Sequence, residues 1–122
     1  MRFVAAFIVL TTIALGAAAT PMLGARGPQR VQVSALEFEY RLSRLSVRQG
    51  AALIELVNYG DDEHDLMLRR VGGTKTWTVR KLLPGSRATL SVRLRPGTYR
   101  LWCAVADHSG RGMRATLRVK RS

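Results

Sequence analysis

An all-β sandwich or barrel is the fold class that this sequence predicts. Several runs alternate apolar and polar residues with a period of two, which turns one face of each strand toward a core. The turn signals "RQG", "NYG", "VGG", "LPG" and "RPG" separate these runs. After Arg26 no window carries a helical apolar stripe over three turns. Short strands punctuated in this way point to a sandwich or barrel, and 122 residues leave room for one such domain.

The first segment stands apart from that domain. After Met1 and Arg2, residues 3–25 carry no charge, and small residues at Ala17 to Ala19 fit a cleavage site. Residues 1–25 therefore read as an export signal, with a retained membrane anchor as the alternative. Either way residues 26–122 form a domain outside the cytoplasm, in the periplasm or on the outer face of the membrane.

The strands follow in order. "VQVSALEFEY" alternates through Val31 and Val33, then through Leu36, Phe38 and Tyr40. The phase change near Ala35 predicts a bulge or a strand break. "AALIELVNYG" is apolar on both faces and reads as a central strand. In "HDLMLRR", His64, Leu66 and Leu68 share the inner face, against Asp65, Met67 and Arg69. Val71 to Ser86 is the least regular stretch and predicts a loop or one helical turn. "RATLSVRL" turns Ala88, Leu90, Val92 and Leu94 inward; "TYRLWC" turns Tyr99, Leu101 and Cys103 inward. "MRATLRVK" closes the set with Met113, Ala115, Leu117 and Val119. Trp77 and Trp102 read as packing residues.

Chemistry gathers at one end of this pattern. Cys103, the sole cysteine, ends one strand on its inner face, and Met113 opens the next strand on its inner face. His108 lies on the connection, and His64 starts another strand facing inward. Each residue alone has a bland reading: a buried thiol, a core methionine, a satisfied histidine, a solvated loop histidine. Together they form a soft ligand set. Two imidazoles and a thiolate with a weak axial thioether are the donors of a blue-copper electron-transfer site.

The same residues carry a family resemblance. "LPGSRATLSVRLRPGTYRLWCAVADHSGRGMRATLRV", with its "PGTY" turn and C-x4-H-x4-M spacing, resembles the C-terminal half of a cupredoxin. "NYGDDEHDLML" is similar to the family's segment bearing the first histidine. The resemblance spans residues 30–120 and implies a Greek-key β-sandwich with one copper cycling between Cu(I) and Cu(II). It implies His64, Cys103 and His108 as equatorial ligands and Met113 as the axial one. It gives the backbone of Asp65 the task of supporting the cysteine sulfur. Asp107 stands where many relatives have glycine and puts a carboxylate beside the site, while Arg111 in the same loop opposes it. A binuclear copper centre needs a second cysteine here, and the chain has none.

Charge bounds the partners. Lys and Arg number 20 and Asp and Glu 8, for a net charge of +12. Only Arg2 precedes residue 26 as a charge, so residues 26–122 carry +11. That field attracts anionic surfaces. No nucleic-acid motif accompanies it, so nucleic acid is not an expected partner. The expected partner is an acidic redox protein met by a monomer, with Arg111 beside the His108 electron port. Association with anionic membrane or envelope polymer is the alternative. Two histidines in all are too few for a multicopper oxidase, and no enzymatic activity is expected. Copper delivery without a redox role, or a metal-free accessory domain, are the rival functions.

Overall fold

The computed structural model describes Gly24 and residues 26–121; the rest of residues 1–25, read above as an export signal, lies outside the described residues. Among the described residues nine strands follow in chain order: β1 (Gln29–Leu36), β2 (Glu39–Leu42), β3 (Ser46–Arg48), β4 (Gly50–Asn58), β5 (His64–Arg70), β6 (Thr76–Leu82), β7 (Arg87–Leu94), β8 (Gly97–Trp102) and β9 (Arg114–Lys120). They form two sheets, one ordered β2-β1-β4-β7 and the other β3-β9-β8-β5-β6. Most pairings are antiparallel, while β1 with β4 and β3 with β9 run parallel. Among the described residues no helix is long and apolar enough to cross a membrane.

The inner faces meet in one core, which holds Val31, Val33, Ile54, Leu56, Leu66, Leu68, Tyr99, Leu101, Leu117 and Val119. Each comes from the alternating set of its strand, so period-two patterning and burial coincide. "AALIELVN" occupies a central position between β1 and β7, as its apolar character on both faces predicts. The break near Ala35 falls two residues later. β1 ends at Leu36, Glu37 and Phe38 make the turn, and β2 returns antiparallel to β1.

Two elements depart from expectation. Val71 to Ser86 holds strand β6 rather than a helical turn. β6 is a sheet edge with only Val79 and Leu82 buried, and its register to β5 shifts between His64 and Leu66. Such a strand shows little alternation to read. The three-residue β3 is also an edge, anchored by Val47 alone, and leaves no periodic trace.

Candidate metal centre

β8 and β9 are antiparallel neighbours, so the connection between them, Cys103 to Met113, hangs from one end of the second sheet. Its ends are tied together: the Cys103 amide donates to the Met113 carbonyl at 3.1 Å. The Met113 amide donates in turn to the His108 carbonyl at 3.0 Å. Gly112 takes φ +112°, a left-handed conformation open to glycine and costly for other residues, which lets the chain re-enter β9. Met113 is fully buried. β5, the neighbour of β8 on its other side, starts at His64 and brings it to the same end.

The result is one buried cluster. One nitrogen from each of His64 and His108 and the Cys103 sulfur all lie within 4.8 Å of one another. His64 and Cys103 are 0% exposed and His108 6%. The His108 ring therefore sits below the surface rather than at it.

A carboxylate orients the first imidazole and another lies near the second. Glu37 Oε1 meets His64 Nε2 at 2.9 Å and also accepts the Asp61 and Asp62 amides, each at 2.8 Å. Those contacts hold the Glu37 carboxyl below its ordinary range, the Asp62 amide first, partial burial opposing, the His64 ring and the Asp61 amide following. Gly60 lies so close that a Cβ there falls 2.2 Å from Glu37 Oε1. Asp62 Oδ2 stands 3.7 Å from His108 Nε2. Glu37 thus engages Nε2 of His64, while Asp62 lies near His108 but beyond hydrogen-bonding distance. His108 Nδ1 is 3.7 Å from the sulfur, and His64 Nδ1 is a buried nitrogen with no hydrogen-bond partner. A buried polar atom without a partner is costly, and a metal bond satisfies it.

The spacing suits a metal. Bonds of about 2.0–2.1 Å to nitrogen and about 2.3 Å to sulfur, as at zinc, in a trigonal arrangement separate N from S by about 3.8 Å. Two imidazoles, one of them backed by a carboxylate, with a cysteine are the His₂Cys donor set of a type 1 copper centre. Burial, and secondarily the Asp65 carboxylate, push the Cys103 thiol up, while the amides of Asp65 and Val105 pull it down. A bound cation reverses that balance by taking the thiolate.

Asp65 ties the ligand loop to its strand. Its Oδ1 accepts the Ala104 amide at 2.7 Å, pinning the ligand loop to β5. The Tyr40 hydroxyl donates to its carbonyl. Burial first, then Cys103 and Asp65, drive the Tyr40 phenol upward, so it is a neutral donor. Asp107 is exposed, and its carbonyl accepts the Arg111 amide at 3.0 Å. The carboxylates that meet the histidines are those of Glu37 and Asp62. Arg111 lies with its guanidinium 3.8 Å from the Phe38 ring centroid, and that ring stands 4.7 Å from His108. Phe38 and Arg111 thus roof the second imidazole. Glu37, Asp62 and Phe38 carry no motif; the only hint is the run of three acids, Asp61 to Glu63, just before His64.

Comparisons with known proteins agree in fold. The structure resembles a reduced auracyanin from the photosynthetic bacterium Roseiflexus castenholzii at TM-score 0.63 and 16% identity, over 77% of this chain and 99% of that one. It resembles a purple cupredoxin from Nitrosopumilus maritimus at TM-score 0.55 and 18% identity, over 73% and 98%. It also resembles part of a multicopper oxidase at TM-score 0.59 and 14% identity, covering 78% of this chain and 46% of that one. No family model matches the sequence, and no curated protein matches it. The chain has the cupredoxin fold.

Proposed function

We propose that this protein is an exported, monomeric, mononuclear copper protein that carries single electrons. One observation carries the reading. His64 Nδ1 is orphaned in a buried cluster that brings His64, His108 and Cys103 together, and the Glu37 carboxylate holds the other nitrogen of the His64 ring. Bound copper supplies a Cu(I)/Cu(II) couple at that donor set. The chain's own residues orient the His64 ring through Glu37, exclude water by burial, and keep the loop closed through Asp65. Met113, buried at the loop's end, is the axial candidate. A preorganised site of this kind changes little between oxidation states, which suits a carrier.

Burial of all three donors favours retention of the metal over handing it on. Likeness to part of an oxidase adds no enzyme reading, because two histidines cannot furnish further copper sites. Export rests on the uncharged run at residues 3–25, and the +11 of residues 26–122 favours an acidic redox partner. Adding copper to the purified protein tests the centre. One equivalent gives an intense band near ~600 nm from the Cys103–copper bond, and Cys103→Ser abolishes it. A colourless Cu(II) protein overturns the reading and leaves copper delivery in its place.

A further inference from the structure

The charges of this protein are sorted in space. Of its eight acidic residues, six gather at the metal pole. Glu37 binds the Asp61 and Asp62 amides, and Asp62 faces His108. Glu63 pairs with Lys81 at 2.8 Å, Asp65 holds Ala104, and Asp107 precedes His108 in its loop. Of the other two, Glu39 pairs with Arg41 on β2, and Glu55 on β4 meets Arg87.

The outer face of the β9-β8-β5 sheet is the opposite. Arg69, Arg70, Arg100 and Arg114 line an open groove of about 910 Å³ with Trp102, and the groove runs up to Ser109 in the ligand loop. Arg69 and Arg100 are direct cross-strand partners, and Arg114 is the partner of Trp102. The Arg69 guanidinium lies 5.8 Å from the Trp102 ring centroid. Among the described residues none of these four arginines forms an ion pair; Arg69 donates to Thr76 Oγ1 and Arg70 to the Pro96 carbonyl. Like charges directly opposite on a sheet repel, and an anionic surface laid across them relieves that repulsion.

The geometry points to this groove, and not the His108 pole, as the docking surface for an acidic one-electron protein. The inference rests on the carrier reading above for the identity of the partner. At the pole an acidic surface meets carboxylates, offset there by Arg111 over Phe38 and by Lys81 on Glu63; on the sheet face it meets four arginines that, among the described residues, have no carboxylate partner. Docking there seats the partner on Trp102, whose neighbour in the chain is Cys103. The aromatic floor and arginine rim are the residue types enriched where protein interfaces are strongest.

The test uses a [2Fe–2S] ferredoxin as the acidic probe, with vesicles containing phosphatidylserine as the lipid probe. Amide shifts on the ¹⁵N-labelled Cu(I) protein are expected at Arg100, Trp102 and Thr116. Arg100→Glu weakens ferredoxin binding about tenfold at low salt, and Arg93→Glu on the opposite sheet, the same change of charge, weakens it far less. The difference shrinks as 0.15 M salt shortens the Debye length to about 8 Å. Shifts centred on Asp62 and His108, or equal losses from Arg93→Glu and Arg100→Glu, overturn the proposal. So does vesicle binding that is lost in Arg100→Glu while ferredoxin fails to bind. A protein that stays colourless with Cu(II) yet binds ferredoxin on this face overturns the carrier reading and leaves the docking surface standing.

Discussion

Removing Glu37 probes the part of the site that no motif announces. Its Oε1 accepts three donors, from His64 Nε2 and the amides of Asp61 and Asp62. Glu37→Ala leaves a fully buried imidazole N–H without a partner and frees the ring to turn. Loss of a group that orients a metal-binding histidine costs about 10- to 100-fold in affinity, or about 1.4–2.7 kcal/mol. Glu37→Gln keeps an oxygen acceptor and loses only the charge, so its cost stays below about tenfold. Gly60→Ala supplies an independent route to the same defect. Its new Cβ falls 2.2 Å from Oε1 and 2.8 Å from Oε2, so the carboxylate must swing away. Cu(I) affinity is read by competition with a chromophoric chelator, and folding by thermal melts of the copper-free protein. Expected is the order Glu37→Ala and Gly60→Ala weakest, Glu37→Gln intermediate. Parental affinity in Glu37→Ala refutes the orienting role. Parental affinity in Gly60→Ala alone shows that the carboxylate reaches His64 by another path.

Two further outcomes follow from the loop. Met113→Leu conserves volume in a fully buried position, so unfolding free energy falls by less than about 1.5 kcal/mol. The blue band persists and voltammetry records a higher potential; loss of copper as complete as in Cys103→Ser refutes the axial assignment. Asp65→Ala strips the acceptor from the Ala104 amide, a charge-assisted bond whose loss costs about 1.5–3 kcal/mol in urea unfolding of the copper-free protein. Asp65→Asn, which retains an oxygen, loses less; equal losses refute the pin.

The legible part of the structure is the part governed by period two. Alternation put His64 and Cys103 inward, and the inward faces of adjacent strands end at one pole, so three buried donors came together. β3 and β6 were illegible because an edge strand buries only one or two side chains. Glu37, Phe38 and Asp62 were illegible for another reason. They sit in turns, where no period exists, and Glu37 lies 27 positions from His64. Only the parallel pairing of β1 with β4 carries the Glu37 turn to the Asn58–Glu63 loop. Alternation spreads the arginines along the chain, so the sequence shows a basic field without a patch. Cross-strand register, absent from a linear reading, stacks Arg69 against Arg100.

Nearby carboxylates and the distant basic body pull the site's potential in opposite directions, and magnitudes decide between them. A carboxylate behind an imidazole stands about 7 Å from a metal on the ring's other nitrogen. At an effective dielectric constant of about 20 that charge is worth on the order of 2 kcal/mol, or about 100 mV for one electron. An exposed arginine about 15 Å away acts through water, and salt at 0.15 M screens it to about 0.05 kcal/mol. Even all 19 cations of residues 26–122 then sum to about 1 kcal/mol. Glu37 alone outweighs the body, and Asp62 adds to it. Both favour the more positively charged, oxidised state, so they lower the potential. The acidic pole therefore sets the redox level, while the arginines, too screened to reach the metal, act outward on whatever approaches. Glu37→Gln separates the two effects: it raises the potential by on the order of 100 mV and leaves the salt dependence of ferredoxin binding unchanged. A potential that stays fixed in Glu37→Gln, with copper still bound, shows that solvent screens the carboxylate as thoroughly as it screens the arginines.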